Sequence, residues 1–201
     1  MRLFASAQYT QSLMEGLTPM YHEIFMDIAA ALPQLGAYHG QGDFLGQWER
    51  KKPWNVPGPL YTGDVDNSGP GPYEAPNNIF IDADDFPFIF RQPVNLFELR
   101  QVLLAADHDP FRAYGADGND HWDLASIRAW WRGRHTIDPS MAARERRVAE
   151  LESGHDSTEY LVAIDRWQEY LRYETEQYLR VYAFFLEEGR VPGTEDHLPE
   201  L

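Results

Sequence analysis

The chain has no cysteine among its 201 residues. Disulfides, thiolate zinc sites, iron–sulfur clusters and cysteine nucleophiles are thereby excluded together. It has no apolar run long enough to span a bilayer, and its opening "MRLFASAQYTQSLMEG" carries one Arg and mixed apolar residues, not a secretory core. The expectation is a soluble, cytoplasmic protein. G-x-S-x-G, the Walker A loop and a G-x-G-x-x-G following a strand are all missing. "GPGPYE" makes a poor phosphate cradle, because its prolines remove N–H donors.

Positive charge is scarce. There are 17 basic residues, 15 of them Arg, against 32 acids, for a formal charge of −15. No basic residue lies between Lys52 and Arg91, whereas Asp64, Asp66, Glu74, Asp82, Asp84 and Asp85 do. From Arg128 to Arg147 the sign reverses, and from Glu150 onward thirteen acids face four Arg. Such a field repels nucleic-acid phosphates and anionic membrane and attracts basic partners. The simpler account is that acidity keeps the protein soluble.

Aromatic residues are plentiful: 11 Phe, 11 Tyr and 6 Trp in a chain that is 43% hydrophobic. Length and composition suit a single domain over 1–201 that buries a sizeable core unaided. Within it we expect a helical C-terminal subdomain at 139–190 and a flexible tail at 191–201.

Apolar spacing supplies the elements. Leu13, Leu17, Met20, Ile24, Ile28 and Leu32 form one helical stripe, interrupted near Pro19 and ended by Pro33 and Gly36. Residues 36–78 are rich in Gly and Pro and cannot hold a long helix. Two runs, "NIFID" (78–82) and "FPFIFR" (86–91), flank an acidic turn and predict a β-hairpin, with Pro87 at an edge or a strand start. Asn95 is a natural N-cap for the following helix, with Glu98 at the capping-box position. Another helix should begin near Asp120 or Asp123, with Gly115 and Gly118 supplying left-handed backbone in the loop before it. Helices at 139–154 and from Ser157 to Glu188 should complete the fold, the second stopped by Gly189. The predicted class is α+β and mostly helical: a small antiparallel hairpin at about 78–91, packed with helices, and a long C-terminal helix pair at about 139–189.

Four constellations carry candidate chemistry. Asp64-x-Asp66-x-Ser68-Gly69 opens like a calcium loop, but position 12 is Ala75 where the bidentate Glu must be, and Pro70 and Pro72 stiffen it. Asp64, Asp66 and Ser68 are therefore minor metal candidates, and an Asx-rich turn is the simpler account. As a stiff acidic stretch the same loop suits a partner, since rigid surfaces lose less entropy on docking. Asp64, Asp66, Tyr73, Glu74, Asp84 and Asp85 are the partner-binding candidates of the stretch 53–90, which lacks any Lys or Arg.

The second constellation is "DHDPFRAYGADGNDHWD" (107–123), where Asp109, Asp117 and His121 could serve as acid–base or metal-binding groups. Their spacing fits no ligand motif, and helix capping explains most of the acids. Third, Trp122, Trp130 and Trp131 cluster on one predicted helix. Core packing is the plain reading, and an exposed Trp131 beside Arg128 and Arg132 would instead be an interface anchor. Fourth, the C-terminal helix carries tyrosines, among them Tyr173, between acids such as Asp165, Glu169 and Glu174, a composition suited to a basic protein. Nothing in the sequence calls for a cofactor.

The stretches "NVPGPLY", "GPYEAPNN", "FIFRQP", "DPFRAYGADGNDHW" and "IRAWW" resemble a module of uncharacterised small bacterial proteins over residues 55–131. In size, acidity and lack of a catalytic motif the whole chain is similar to immunity proteins of bacterial toxin systems. That likeness implies an inhibitor that neutralises a basic protein partner, such as a toxin, with no nucleic acid and no membrane involved. The alternatives are a metal-dependent hydrolase using the 107–123 loop, and a structural or regulatory module forming a homo-oligomer through the long C-terminal helix.

Overall fold

A computed structural model describes residue 28 and residues 44–63, 71–82, 86–136 and 156–201, with backbone alone for 156–164. The rest of the N-terminal stripe, the helix expected at 139–154, the first half of the calcium-like loop and the tip of the hairpin lie outside the described residues.

The elements run β1 (Tyr61–Thr62), α1 (Gly71–Glu74), β2 (Ile79–Ile81), β3 (Pro87–Ile89), α2 (Leu96–Asp107), β4 (Tyr114–Gly115), α3 (Leu124–Gly133), α4 (Asp156–Tyr173) and α5 (Thr175–Glu188). Strands β2 and β3 pair antiparallel, with Ile79 opposite Ile89 and Phe80 opposite Phe88. Strands β1 and β4 form a second antiparallel pair, Tyr61 opposite Gly115 and Thr62 opposite Tyr114. The class is α+β, helices around two small antiparallel sheets.

The β2–β3 hairpin divides the core. Successive side chains on a strand point to opposite faces. Phe80 and Phe88 join Trp167 and Tyr170 of α4 and Tyr178, Leu179 and Tyr182 of α5. Ile79 and Ile89 join Leu99, Val102, Leu103 and Ala106 of α2, and Ile28 reaches this second cluster. Burial on both faces explains why the two runs read as near-continuous apolar stretches rather than alternating ones. Pro87 opens β3, a position where its missing N–H costs no ladder bond.

Buried amides tie the Gly/Pro-rich segment to this hairpin. Asn55 Oδ1 accepts from the backbone N–H of Thr62 (3.1 Å) and of Ile89 (2.8 Å), and its Nδ2 donates to the carbonyls of Lys52 (3.0 Å) and Thr62 (2.8 Å). Gln92 does the same for the next turn, accepting from Leu60 N–H and donating to the carbonyls of Val56 and Leu60. Residues 55–63 are consequently buried throughout. Residues 55–63 are core scaffold; of the acidic loop that follows, 64–70 lie outside the described residues, and Tyr73 and Pro76 are exposed.

The helix ends follow capping chemistry, with two departures. Asn95 accepts from Glu98 N–H as expected, but the Glu98 carboxylate reaches Val94 N–H (3.0 Å) and pairs with Arg91 (3.0 Å) instead of closing the box on Asn95. Asp123 and Ser126 form a full capping box at the start of α3, so Trp122 lies before the helix and not on it. Gly189 ends α5 with φ 67° and donates to Phe185 O at 2.8 Å.

The segment expected as one helix from Ser157 to Glu188 is two, parted at Glu174. The buried Thr175 hydroxyl donates to Tyr170 O at 2.9 Å, sharing that carbonyl with Glu174 N–H. A hydroxyl competing for a backbone acceptor bends a helix in this way. Residues 191–201, expected as a flexible tail, lie against the body. Arg190 clasps Asp196 through both guanidinium nitrogens, Arg180 donates to Pro199 O, and Arg128 donates to Glu200 O. Leu198 and Leu201 pack on the Trp167 cluster.

Candidate functional site

The 107–123 loop separates into two units. Asp109 is buried and spends both oxygens on its own turn, accepting from Phe111 N–H (3.0 Å) and Ala113 N–H (2.7 Å). Those bonds hold Arg112 at φ 52°, a left-handed conformation that a non-glycine residue rarely adopts. The positive φ expected at Gly115 and Gly118 is absent. Both positions are glycine for space: a Cβ on Gly115 would overlap the Tyr61 ring, and one on Gly118 would overlap the Gly58 carbonyl. Asp109 makes no bond to Asp117 or His121, so the three sequence candidates do not assemble.

Asp117 and His121 do meet. Asp117 Oδ2 lies 3.1 Å from His121 Nε2, and its Oδ1 accepts the Tyr61 hydroxyl at 2.7 Å. Burial alone would raise the Asp117 carboxyl, but the hydrogen bonds from Tyr61 and His121 outweigh it and hold it below the usual carboxylate range. Burial first, then the bond to Asp117, pushes the Tyr61 hydroxyl well above its ordinary value. The His121 ring stacks on Trp48 at 4.7 Å and 11°. Tyr61 and Trp122 both meet Trp48 edge-on, at 5.3 and 5.1 Å. Chemically this is an oriented carboxylate–imidazole pair at the rim of an aromatic cluster. Among the described residues no group of three or more His, Asp or Glu side chains is placed to hold a metal ion. Asp64, Asp66 and Ser68, the other metal candidates, lie outside the described residues.

The same cluster contains a residue that sequence reasoning missed. The ammonium of Lys51 lies 5.0 Å from the Trp48 ring centroid and 4.7 Å from that of Trp122. Among the described residues its one hydrogen bond is a long contact with Lys52 O at 3.5 Å, and no carboxylate pairs with it. Burial lowers its pKa to about 8. Neighbouring Lys52 differs: it faces Asp82 at 3.8 Å and the Phe86 ring at 3.6 Å. Trp48-x-x-Lys51 is a visible spacing, but Trp122 is distant in sequence and only the fold brings it to the amine.

Tyr73 is 76% exposed on α1, while Glu74 beside it is engaged by His108 Nδ1 at 2.9 Å. Asp64, Asp66, Asp84 and Asp85 lie outside the described residues. Trp131 is a poorer anchor than expected. It is half-buried against the core, and the Arg134 guanidinium covers its ring at 3.4 Å. On α4, Asp165, Glu169 and Tyr173 recur every four residues, so they share one face. All three are exposed, Tyr173 at 76%, and Glu174 and Glu176 follow just past the break.

No family model, no curated protein and no solved structure matches the chain. Among the described residues no helix is long and apolar enough to cross a membrane.

Proposed function

We propose that this is an acidic binding protein, an inhibitor or immunity protein of the cytoplasm, which neutralises a basic partner such as a toxin. The observation that carries the reading is the Asp165–Glu169–Tyr173 stripe, with Tyr173 fully presented at 76% exposure in a chain of net charge −15. Tyrosine supplies apolar area at small rotamer cost and a hydroxyl for polar contact. The surrounding carboxylates steer a cationic partner and fix its register. Tyr73 offers a second exposed aromatic next to an acid.

Affinity capture from the native host is the test. The expected prey is a strongly basic protein whose binding is lost when Glu169→Arg and Glu174→Arg are introduced together. Recovery of no basic protein, or capture that survives the double reversal, refutes the reading.

One observation favours a second reading. The Asp117–His121 pair, with Tyr61 behind it, is oriented as an acid–base couple. A hydrolase built on it would lose turnover in His121→Ala, whereas the binding reading leaves capture unchanged in that variant. A structural module that self-associates through α4 and α5 would instead show a mass that rises with concentration in light scattering.

A further inference from the structure

We propose that Lys51 is an imine-forming amine, an attachment point for a small aldehyde or ketone held over the faces of Trp48 and Trp122. This lies beyond partner binding and uses residues that the α4 stripe does not contain.

The geometry of the amine carries the argument. A lysine ammonium has three N–H donors and no acceptor. The site gives it one distant acceptor, Lys52 O at 3.5 Å, and no carboxylate among the described residues. Among the described residues, two donors are therefore unserved in a half-buried setting. A strongly hydrated point charge is poorly accommodated there. A protonated imine has a single N–H and spreads its charge over the C=N unit. One acceptor serves it, and the two indole faces still stabilise its positive charge. Acylation would discard that charge and the cation–π contacts with it. The cage thus selects a product that keeps the cation and sheds donors.

The step balances without any further reagent. The neutral amine of Lys51 attacks the carbonyl carbon and the C–N bond forms. The carbonyl oxygen takes up protons and leaves as water, and the nitrogen keeps one proton in the C=NH⁺ product. Nothing is oxidised or reduced. The attacking form is accessible because burial brings the amine to about 8. At pH 7 that leaves roughly a tenth of it neutral, a few hundred times the neutral fraction of an ordinary lysine. The lower intrinsic nucleophilicity of a weaker base takes back part of this, with a Brønsted slope of about one half. A net rate advantage of about tenfold remains, and at equilibrium the larger neutral fraction lowers the aldehyde concentration needed. Desolvated lysines form Schiff bases with carbonyl compounds by this logic.

Composition makes the test sharp, since Lys51 and Lys52 are the only two lysines. The whole chain is equilibrated with glycolaldehyde over a concentration series at pH 7.5 and quenched with borohydride, which reduces each imine to a stable amine. Peptide mass spectrometry then reads occupancy at Lys51, at Lys52 and at the amino terminus. The expected result is half-saturation at Lys51 at an aldehyde concentration at least tenfold below that for Lys52. In Lys51→Arg, which keeps a cation in the cage, the low-concentration adduct disappears and does not move to Lys52. Equal occupancy of the two lysines, preference for Lys52, or an adduct confined to the amino terminus overturns the proposal.

Discussion

Replacing Asn55 by Ala removes a side chain that ties Lys52 of the Gly/Pro-rich segment to Thr62 of β1 and Ile89 of β3. Five hydrogen bonds involve its amide group, but they are not equally dispensable. Thr62 Oγ1 has Pro87 O at 2.8 Å as a second acceptor. Thr62 O still receives Lys52 N–H at 3.0 Å, and Lys52 O still receives the backbone N–H of residue 55 at 3.2 Å. The backbone N–H groups of Thr62 and Ile89 are the ones left orphaned, since Asn55 Oδ1 is the acceptor for both. Each buried unsatisfied donor costs about 1–3 kcal/mol. The loss is therefore about 3–4 kcal/mol, with little change in the slope of the denaturation curve, because the surface exposed on unfolding is the same. Urea unfolding followed by tryptophan fluorescence measures it. A loss below about 1 kcal/mol would mean that water or a local shift satisfies both donors, and it would refute the view of Asn55 as the node of the scaffold.

Three further outcomes follow from the same contacts. Gly118→Ala places a Cβ against the Gly58 carbonyl and 2.9 Å from Pro59 O. It should cost about 2 kcal/mol or more in urea unfolding, since both obstacles are backbone. Lys51→Met should stabilise the protein at neutral pH. The folded chain releases the Lys51 proton near pH 8 while the unfolded chain holds it to about 10.5, so stability rises with pH through that window and the burial penalty is complete below it. The gain is about 1–2 kcal/mol at pH 7 after allowance for the lost indole contacts, and melting curves of the two proteins should converge by about pH 10.5. Asp117→Asn should flatten the acid limb of the stability profile. The Asp117 carboxyl lies below its unfolded value, so its contribution is present above about pH 4 and is lost as pH falls through the folded value.

Much of the fold is legible in the sequence where one local rule decides the outcome. Asn95 and Asp123 cap helices because each is a short acceptor ahead of an apolar period, and Gly189 stops α5 because a left-handed residue is needed there. The hairpin at Ile79 and Ile89 is legible from two β-branched and aromatic runs around a turn. What is not legible depends on contacts across long separations. Nothing local in "YT" and "YG" announces that β1 and β4 pair, because a two-residue strand has no period to read. Gly115 and Gly118 look like turn glycines, and only the approach of Tyr61 and Gly58 shows that they are spacers. The helix from Ser157 onward reads as continuous because Thr175 breaks it only by burying its hydroxyl on Tyr170 O.

The candidate site divides the same way. The nearness of Asp117 and His121 is visible as an i, i+4 spacing, whereas the isolation of Asp109 follows from the turn it closes at Arg112. The exposure of Tyr173 could be expected from the acids around it, since Asp165 and Glu169 mark a solvent face. The Lys51 cage needed Trp122 to be brought beside Trp48, and no spacing records that.

The most direct test of the binding account is the salt dependence of affinity for the captured basic partner, measured by titration calorimetry with the parent chain and with Tyr173→Ala. The account predicts that affinity falls steadily between low and high salt, as screening weakens the acidic field. It also predicts that Tyr173→Ala weakens binding by about tenfold or more at every salt concentration, the effect of losing an exposed aromatic anchor of about 1.4 kcal/mol or more. Affinity that is indifferent to both salt and Tyr173→Ala would contradict it.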